Sequence, residues 1–400
     1  MRRFLSFALI LSPLALAASC GAARSGDSVP AGDRAAQKSD EFQRIPAQAG
    51  VGFNVQRVAT LHEPWAAAFA PGTPWLFVTE KNGTIKAVDT ENHQVVTVSG
   101  APKVDYGGQG GLGDIAFLPW ESMPSLGTRT IYLSWAEEGP DDTRGAVLGR
   151  GKLVCDQSIN CSISDLKVIW RQTPKVSGRG HYSHRIAFSP DRKHLFIASG
   201  ERQKGQPAQD PQSDLGKILR LNLDGTPASG NVLADEHVAR PGIYSLGHRN
   251  ILGLRVDSRG RLWDLEHGPA GGDELNLVTN GSNYGWPYVS EGDHYSGQPI
   301  ARHATQPQFS KPAISWTPVI APGDFIFYSG SMFPALGGEA LIAGLKSKAM
   351  IRVAIRGDTA REVARYPLGN RLREIVEGPD GAIWILEDGG NAGLLRLTPG

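Results

Sequence analysis

The chain has 400 residues, a formal net charge of +1 and 40% hydrophobic residues. A chain this close to neutral gives no reason to expect nucleic acid or an anionic membrane surface as its partner. Its 49 glycines and 27 prolines, together with short runs rich in Val, Ile, Leu, Phe and Trp, favour an all-β protein over a helical one.

The N-terminus has the features of an export signal. A charged start, MRR, precedes an apolar run that is too short and wrongly flanked for a transmembrane anchor, so residues 1–19 are predicted to be a signal peptide. Cys20 directly follows small residues, as at a bacterial lipoprotein cleavage site. We expect it to be lipidated, with ordinary cleavage as the alternative. Residues 20–50 hold scarcely any large apolar residue and are predicted to be a flexible tether. The expected location is therefore the bacterial cell envelope, either periplasmic or lipid-anchored to a membrane.

The remaining two of the three cysteines are Cys155 and Cys161. Because an exported chain meets an oxidising compartment, a local disulfide that clips a hairpin is favoured over a metal site. The sequence alone leaves the pairing open.

From residue 51 the chain repeats one pattern, in which an apolar run, a turn with Pro or Asp-Gly and a second run end in a polar residue. Six such units start at Trp65, Gly111, His184, Ile251, Glu339 and Arg373. Sustained helical periodicity is absent after the signal. The pattern predicts one domain over residues 51–400, an all-β six-bladed β-propeller with four-stranded antiparallel blades. A sandwich array or a β-helix is the alternative. Residues 53–61 are expected to supply an outer strand that closes the ring against the last blade.

Residues 244–288 carry the most unusual chemistry. A Gly-rich turn in this stretch is surrounded by polar residues: Glu266, His267, Gly268, Pro269, Asp273 and Glu274. Such a turn can aim carbonyl and carboxylate oxygens at one point, which is the geometry that a hard cation such as Ca²⁺ prefers. A hairpin loop that is merely polar is the alternative.

Other polar residues recur where the repeats would bring them together at one end of a propeller channel. They are Gln109, His181, Glu201, Arg249, Asn250, His267, Lys346, Arg371 and Arg373. Each alone is explained by a surface or hydrogen-bonded position. As a set, however, their four cations indicate an anionic ligand, and guanidinium groups suit a ligand with several carboxylates.

Several segments together identify a family. They are GQGGLGDIAF, HYSHRIAFSPD, GHRNILGL, EHGPAGGDELN, NYGWP, SWTPVIAP, AGLKSK and NRLREIVEGPDGAIWIL, which lie between about residues 52 and 398. In these the chain resembles the soluble PQQ-dependent glucose/sorbosone dehydrogenases, and more closely their shorter bacterial aldose sugar dehydrogenases. The resemblance implies the same propeller and a quinoprotein oxidoreductase. Its reaction would oxidise the C1 hydroxyl of aldose sugars to lactones by hydride transfer to PQQ.

The resemblance also implies roles for single residues. His181 would be the general base, and Arg249 would stabilise negative charge on the quinone. The implied cofactor contacts are Gln109, Arg249, Asn250, His267, Lys346, Arg371 and Arg373. His267 replaces the Gln of longer, glucose-specific members, which favours the aldose subgroup.

Metal and substrate residues are implied in the same way. The carbonyl oxygens of Gly268 and Pro269 would hold a Ca²⁺ that polarises the quinone, and Glu274 and Tyr284 would hold a second, structural Ca²⁺. Glu201 would lie near the sugar. So would Trp316, for which a core position is the alternative.

Two other functions stay open at this level: a Ca²⁺-dependent propeller lactonase or hydrolase, and a non-catalytic binding module. The cationic residues favour a dehydrogenase over a calcium hydrolase, which needs no clamp for a polycarboxylate. His181 favours an enzyme over a binding module. The expected partners are an aldose sugar and an electron acceptor such as a cytochrome or quinone, with no nucleic acid. A monomer and a homodimer are both compatible with the sequence.

Overall fold

Six antiparallel sheets of four or five strands follow one another in residues 43–400, the part of the chain that the computed structural model describes. They are the blades of a six-bladed β-propeller, which confirms the predicted fold class. The predicted signal peptide, Cys20 and most of the predicted tether lie outside the described residues. Within residues 43–400, no helix is both long and apolar enough to cross a membrane.

The described chain begins with two strands that belong to the last blade, β1 (Gln43–Gln48) and β2 (Val51–Leu61). The first blade contains β3 (Pro64–Phe69), β4 (Trp75–Glu80), β5 (Thr84–Asp89) and β6 (Val95–Val98). The second contains β7 (Leu112–Phe117), β8 (Thr128–Glu138), β9 (Thr143–Cys155) and β10 (Cys161–Arg171), with the short β11 (Val176–Ser177) paired to β9. The third contains β12 (Ser183–Phe188), β13 (His194–Ser199), β14 (Lys217–Asn222) and β15 (Ile243–Leu246).

The fourth blade contains β16 (Ile251–Val256), β17 (Leu262–Glu266), β19 (Asp273–Val278) and β21 (Ile314–Trp316), beside a small ribbon of β18 (Ala270–Gly271) and β20 (Gly292–Asp293). The fifth contains β22 (Pro322–Phe327), β23 (Ala340–Gly344), β24 (Ala349–Arg356) and β25 (Thr359–Pro367). The sixth contains β26 (Leu372–Glu377), β27 (Ile383–Glu387) and β28 (Ala392–Pro399), followed by β2 and β1. Helix is confined to α1 (Val232–Asp235) and to single 3₁₀ turns at Gln206–Gln209, His303–Thr305 and Pro334–Leu336 among the described residues.

The ring is closed by β2, which pairs antiparallel with β28 as predicted for residues 53–61. Phe53 on β2 is fully buried, with ring centroids 5.2 Å from Phe333 and 4.9 Å from Tyr366. Burying such a ring contributes roughly 1.5–3 kcal/mol. The predicted tether is corrected at its end, because β1 pairs with β2 and buries Ile45. One apolar residue among polar neighbours gave too weak a pattern to reveal this strand.

The predicted repeat units coincide with the blades except in the fifth. That blade begins with β22 and not at Glu339, which immediately precedes its second strand. Twelve residues separate Phe327, at the end of β22, from Ala340, at the start of β23. The long connection concealed the first strand from a pattern based on short turns.

Aspartates shape several of the turns between first and second strands. Oδ1 of Asp191 accepts the N–H of Lys193 at 3.0 Å, and Oδ1 of Asp380 accepts the N–H of Ala382 at 3.0 Å. Such bonds from an aspartate side chain to the backbone N–H two residues on form Asx-turns, which mimic a backbone turn. The Pro-Asp and Asp-Gly signals in the sequence therefore mark true hairpins.

The second blade carries the disulfide. Cys155 and Cys161 are bonded, and their Cα atoms face each other across the turn from β9 to β10. The disulfide was the favoured prediction, and the structure confirms it over a metal site.

The innermost strands of the blades, β3, β7, β12, β16, β22 and β26, pack side by side around the central channel. Apolar residues of neighbouring blades fill the space between them and exclude water there. All six inner strands run in the same direction. Residues that precede them therefore meet at one end of the channel.

Candidate active site

A cavity of about 180 Å³, the channel cavity, lies at the end of the channel where the inner strands begin. The predicted cofactor contacts Gln109, Asn250, His267, Arg371 and Arg373 all line it. Its other lining residues are Trp65, Lys81, Gly108, Tyr182, Ser183, His184, Leu252 and Leu345. All six blades thus contribute residues that are far apart in sequence.

The channel cavity is positively charged. Lys81, Arg371 and Arg373 line it, and no carboxylate does so within the described residues. Asp388 orients two of these cations: its Oδ2 accepts from Nε of Arg371 at 2.8 Å, and its Oδ1 accepts from Nη2 of Arg373 at 2.8 Å. Burial raises the pKa of Asp388, but the two guanidinium groups outweigh it and hold the pKa below its usual range. Because one carboxylate balances two guanidinium groups, charge remains for an anionic ligand.

Lys81 and Asp388 were missed by sequence analysis. Lys81 directly follows β4, and Asp388 directly follows β27. Lys81 Nζ donates to the carbonyl of Gly108 at 3.1 Å. A polar residue after the second strand is the same signal that pointed to Glu201 and His267, so it could have found both.

Two predicted cofactor contacts, Arg249 and Lys346, do not line the channel cavity. Lys346 is exposed and does not line the channel cavity, whereas its neighbour Leu345 does. Gln109 lines the cavity, and its Oε1 accepts the backbone N–H of His181 at 2.7 Å. Gln109 therefore connects the channel cavity to the predicted base.

A second cavity of about 470 Å³, the side cavity, lies beside the first. Sequence neighbours line the two, because Tyr182 and Asn250 face the channel cavity while His181 and Arg249 face the side cavity. The side cavity is lined by His181, Glu201, Gln203, Lys204, Gly205, Gln206, Arg249, Pro269, Trp286, Pro287, His294 and Tyr295.

His181 and Glu201 form a buried pair in the side cavity. Nδ1 of His181 is hydrogen-bonded to Oε1 of Glu201, whose Oε2 accepts the N–H of Gly205 at 2.6 Å. Burial raises the pKa of Glu201, but the bonds from His181 and Gly205 bring it below the ordinary value. Burial also lowers the pKa of His181, with a further decrease from the charge of Arg249, and Glu201 opposes both. His181 is therefore neutral at neutral pH and donates from Nδ1. No hydrogen bond within residues 43–400 engages its Nε2, which is available as a base.

Arg202 is hydrogen-bonded to the backbone of the segment that carries His181. It is 1% exposed, its Nε donates to the carbonyl of Gly180 at 2.8 Å, and another nitrogen donates to that of Gly178. Its guanidinium lies 3.7 Å from the ring centroid of Tyr182, and its own N–H donates to the carbonyl of His181 at 3.2 Å. His181 has a φ of 47°, which is unfavourable for a non-glycine residue. The contacts of Arg202 hold this strained segment in place.

Arg249 lines the side cavity and contacts His267, which lines the channel cavity. Its Nη1 donates to the carbonyl of His267 at 3.1 Å, and its Nη2 donates to Oη of Tyr295 at 3.3 Å. The indole of Trp286 stacks against the guanidinium, with 5.1 Å to the ring centroid. Nε of Arg249 is buried without a hydrogen-bond partner among the described residues, so the side chain retains a donor for a ligand.

His267 is held by the neighbouring blade. Its Nε2 donates to the carbonyl of Pro322 at 2.6 Å. Burial lowers the pKa of His267 to about 3, although the bond to Pro322 opposes this. The imidazole is therefore neutral and lines the channel cavity through its remaining surface.

The Gly268-Pro269 turn fits a cation. The N–H of Gly268 donates to Oδ1 of Asp273 at 2.9 Å, and a Cβ on Gly268 would lie 2.2 Å from the carbonyl oxygens of Gly271 and Gly272, so only glycine fits. Neither the Gly268 nor the Pro269 carbonyl accepts a hydrogen bond from another described residue. Unpaired buried carbonyls are suitable ligands for Ca²⁺.

Buried carboxylates beside the turn support a second cation. Glu266 and Glu274 face each other directly across β17 and β19, and both are buried. Burial and repulsion by Glu266 raise the pKa of Glu274 well above its usual value, and the same two causes act on Asp264. Like charges at directly opposite positions destabilise a sheet. A bound cation would remove this repulsion.

Tyr284 lines the same crevice as Gly268, Pro269 and Glu274. Its hydroxyl is used elsewhere, since it donates to the carbonyl of Leu277 at 2.6 Å and accepts from the N–H of Thr279 at 3.0 Å. Any contribution of Tyr284 to a metal site therefore comes from its backbone carbonyl. The two predicted calcium positions share one crevice.

Trp316 is placed away from both cavities. It packs in a core cluster with Trp263 and Phe325, and its Nε1 donates to Oε2 of Glu362 at 2.8 Å. It lines neither cavity, which agrees with the alternative core position. The tryptophan beside His181 and Glu201 is Trp286.

Comparison with known proteins gives the same architecture. The family model described as Glucose / Sorbosone dehydrogenase matches residues 61–396. Aldose sugar dehydrogenase YliI of Escherichia coli (strain K12) is 34% identical to this chain over 344 residues, which cover 85% of this chain and 91% of that protein.

Two solved structures are also similar. The soluble aldose sugar dehydrogenase from Escherichia coli in its apo form has 32% sequence identity and a TM-score of 0.80, and the match covers 87% of this chain and 100% of that chain. The PQQ-bound aldose sugar dehydrogenase from Streptomyces coelicolor has 26% identity and a TM-score of 0.66, with 89% and 100% covered.

Proposed function

Because the chain belongs to the glucose/sorbosone dehydrogenase family of oxidoreductases, we propose that it is a PQQ- and Ca²⁺-dependent aldose sugar dehydrogenase. It oxidises the C1 hydroxyl of aldose sugars to the lactone. One observation carries the proposal. A cationic cavity lined by no described carboxylate adjoins a buried neutral imidazole that a carboxylate holds in place.

PQQ, when bound, would supply the hydride acceptor, and Ca²⁺ would supply Lewis-acid chemistry. Arg371, Arg373 and Lys81 would pair with the cofactor carboxylates, because they carry excess positive charge in the channel cavity. Gln109, Asn250 and His267 would complete the lining, and Arg249 would donate its free Nε to a quinone oxygen. The free carbonyls of Gly268 and Pro269 would hold the Ca²⁺. Glu274 and the Tyr284 carbonyl would hold a second ion.

His181 removes the proton of the sugar C1 hydroxyl at its Nε2 as the hydride leaves C1. Its Nδ1–H donates to Glu201, which fixes the tautomer and stabilises the imidazolium that forms. Arg249 lowers the pKa of His181 in addition to the effect of burial, so the imidazole stays unprotonated before the sugar arrives. The proton acceptor is thus ready at neutral pH.

The cations argue against the hydrolase alternative. A lactonase-type site needs a metal ion and a water, and its carboxylates serve the ion. Here Arg371 and Arg373 are oriented by Asp388 toward a cavity without any acidic lining residue in the described chain. A ligand with several carboxylates explains that arrangement, whereas a lactone does not.

We also propose that the protein acts in the bacterial cell envelope, either periplasmic or anchored through a lipidated Cys20. The charged start and the short apolar run of the sequence support this location. The electron acceptor there would be a cytochrome or a quinone. The six-bladed ring is compatible with a monomer or a homodimer.

The function is tested by reconstituting the purified protein with PQQ and Ca²⁺ and measuring dye reduction with a panel of aldoses. We expect quinone absorbance to remain after desalting and at least one aldose to reduce the dye. A matched sample with Mg²⁺ in place of Ca²⁺ should retain less cofactor, because Mg²⁺ requires shorter, near-octahedral coordination. Loss of the quinone absorbance together with inactivity on every sugar would overturn the proposal.

Replacing Glu201 with glutamine should move the acidic limb of the pH profile of kcat/KM to lower pH. Burial lowers the pKa of His181, and the Glu201 carboxylate offsets part of that decrease. Without the carboxylate the pKa of His181 falls further, so the imidazole stays unprotonated to lower pH but is a weaker base. We therefore also expect kcat to fall by roughly tenfold.

Rates from about pH 4 to 9 measure both effects. The prediction is wrong if the limb stays in place or moves upward. Glu137→Gln, at a surface ion pair with Arg171, is the control.

Replacing Arg202 with lysine should lower kcat by roughly 10-fold to 100-fold and leave cofactor binding intact. One ammonium group cannot bond at the same time to the carbonyls of Gly178, Gly180 and Arg144, so the segment that carries His181 loses its support. Turnover and retained quinone absorbance are measured together. Arg220→Lys, in the same blade but bonded to the carbonyl of Ser229, should be nearly silent. Unchanged kcat in the Arg202 variant would remove Arg202 from this positioning role.

A further inference from the structure

His184 lines the channel cavity, and the proposed function leaves it unused. It is 1% exposed, and its imidazole forms no hydrogen bond with any residue between 43 and 400. Three other buried histidines of the described chain, His181, His248 and His303, all form side-chain hydrogen bonds. Buried polar groups without a partner are rare in proteins, so the isolated imidazole of His184 requires an explanation.

We propose that His184 is a cofactor-binding residue whose Nε2–H donates a hydrogen bond to an oxygen of PQQ in the channel cavity. This role rests on the proposed dehydrogenase function. It adds an uncharged donor to the cations Lys81, Arg371 and Arg373, which the proposed function already assigns to the cofactor carboxylates.

The imidazole of His184 is held in place by packing. Its ring centroid lies 5.0 Å from that of Trp65, at an interplanar angle of 64°, and 5.9 Å from that of Tyr182. A Cβ on Gly113 would lie 2.4 Å from Cε1 of His184, so the ring occupies space that any larger residue at position 113 would need. A ring that is already fixed can bind a ligand without a further loss of conformational entropy.

The protonation state of His184 follows from its surroundings. Burial, with smaller contributions from the charges of Arg185 and Arg202, lowers the pKa of His184 to about 3, so the ring is neutral and carries one proton. Nδ1 is enclosed and has no partner in the described chain, so a proton there would be an unsatisfied buried donor. The proton therefore lies on Nε2, the ring nitrogen that a ligand in the channel cavity can reach.

This tautomer matches the chemistry of PQQ. The cofactor presents carboxylate and quinone oxygens around its rings, and these oxygens accept hydrogen bonds. An Nε2–H complements such an oxygen, whereas the opposite tautomer would present a lone pair and repel it. Because no carboxylate of the described chain lines the channel cavity, that N–H stays free for a ligand with acceptor oxygens.

The test is the Kd for PQQ in the presence of Ca²⁺, followed by the absorbance of the bound quinone. His184→Met removes the donor but keeps a side chain that fills much of the space, and its Kd should rise by roughly tenfold. His184→Gln places an amide N–H at a similar distance from the backbone as Nε2, so its Kd should stay within about threefold of the wild type. His194→Met, at the solvent-facing pair with Asp191 in the same blade, is the control and should bind PQQ unchanged.

Equal Kd values for the wild type and His184→Met would overturn the role of His184. An equal rise in His184→Gln would also overturn it, because the effect would then come from lost packing and not from the lost donor. If the wild type binds PQQ but oxidises no aldose, the proposed function fails and the Kd values still decide the role of His184. If the wild type oxidises aldoses and His184→Met binds PQQ equally well, the role of His184 fails alone.

Unfolding midpoints of the cofactor-free proteins show whether the variants fold. If they do not, a crystal structure of the wild type with PQQ decides the contact. A cofactor oxygen within about 3.2 Å of Nε2 of His184 supports it, and a bound cofactor with every oxygen beyond hydrogen-bond distance refutes it.

Discussion

Replacing His181 with alanine is expected to lower kcat by roughly 10²-fold to 10⁴-fold while PQQ stays bound. Nε2 of His181 is the free basic atom of the buried pair with Glu201, whereas Lys81, Arg371 and Arg373, which would pair with the cofactor carboxylates, line the channel cavity. The substitution should therefore slow the chemical step without releasing the cofactor. Single-turnover reduction of the bound cofactor by a saturating aldose, followed by its absorbance, measures the step directly.

A second variant guards against structural damage. Alanine leaves Glu201 buried without its partner, whereas glutamine can still donate to that carboxylate and has no basic nitrogen. His181→Gln should therefore lose turnover to the same extent and keep the fold. His194→Ala, at a solvent-facing pair with Asp191 in the same blade, is the matched control and should remain active. If either His181 variant keeps full activity, the proton acceptor lies elsewhere.

The fold was predictable because its signals are local. Each blade repeats an apolar run, a turn and a second run, and turn residues such as Asp191 and Asp380 act within two residues of their own position. The pattern failed where the local signal was weak. β1 has Ile45 as its single buried residue, and β22 is separated from β23 by a long connection.

The site was predictable only in part, because its geometry depends on partners without a sequence signature. Arg202 bonds to backbone carbonyls, which every residue has, so nothing in the sequence marks it as the support of His181. Tyr295 lies in a long loop that returns to the site through the pairing of β18 with β20. Trp316 shows the converse. The family resemblance implied a position near the sugar for Trp316, but its strand, β21, directs the side chain into the core.

Below the channel cavity, charged residues of five blades form a channel ion cluster: Asp114, Arg185, Arg255, Asp324 and Glu374. Arg185 is fully buried at its centre, with Nη2 at 2.6 Å from Oε2 of Glu374 and Nη1 at 3.4 Å from Oδ1 of Asp114. Arg255 pairs with Asp324 and lies 3.5 Å from Glu374. The cluster separates the channel cavity, which His184 lines, from the opposite channel end, which Asp114 and Arg255 line.

Replacing Arg185 with methionine is expected to lower the free energy of unfolding by roughly 3–5 kcal/mol. Methionine fills much of the volume, so packing changes little. Three carboxylates then share the single charge of Arg255 inside the protein, and the hydrogen bonds of Arg185 to the carbonyls of Leu252 and Gly323 are lost. Urea denaturation of the protein without cofactor measures the effect. A destabilisation below about 1 kcal/mol would show that the cluster is not a net support of the ring.

A second substitution, Glu374→Gln, and the pH dependence of stability both distinguish uncompensated charge from lost packing as the cause of the destabilisation. Removing one negative charge should restore stability, so Arg185→Met with Glu374→Gln should be more stable than Arg185→Met alone, whereas lost packing would make the effects add.

Burial raises the pKa of Asp114 and of Glu374 above their usual values even with Arg185 present. Between the unfolded-state and the raised folded-state pKa values, the folded protein therefore binds more protons than the unfolded chain, and its stability falls as pH rises. Without Arg185 this dependence should steepen, so the variant should lose more stability at about pH 8 than at about pH 5. A destabilisation independent of pH would assign the effect to packing, because a methionine in a well-filled channel has no proton to exchange.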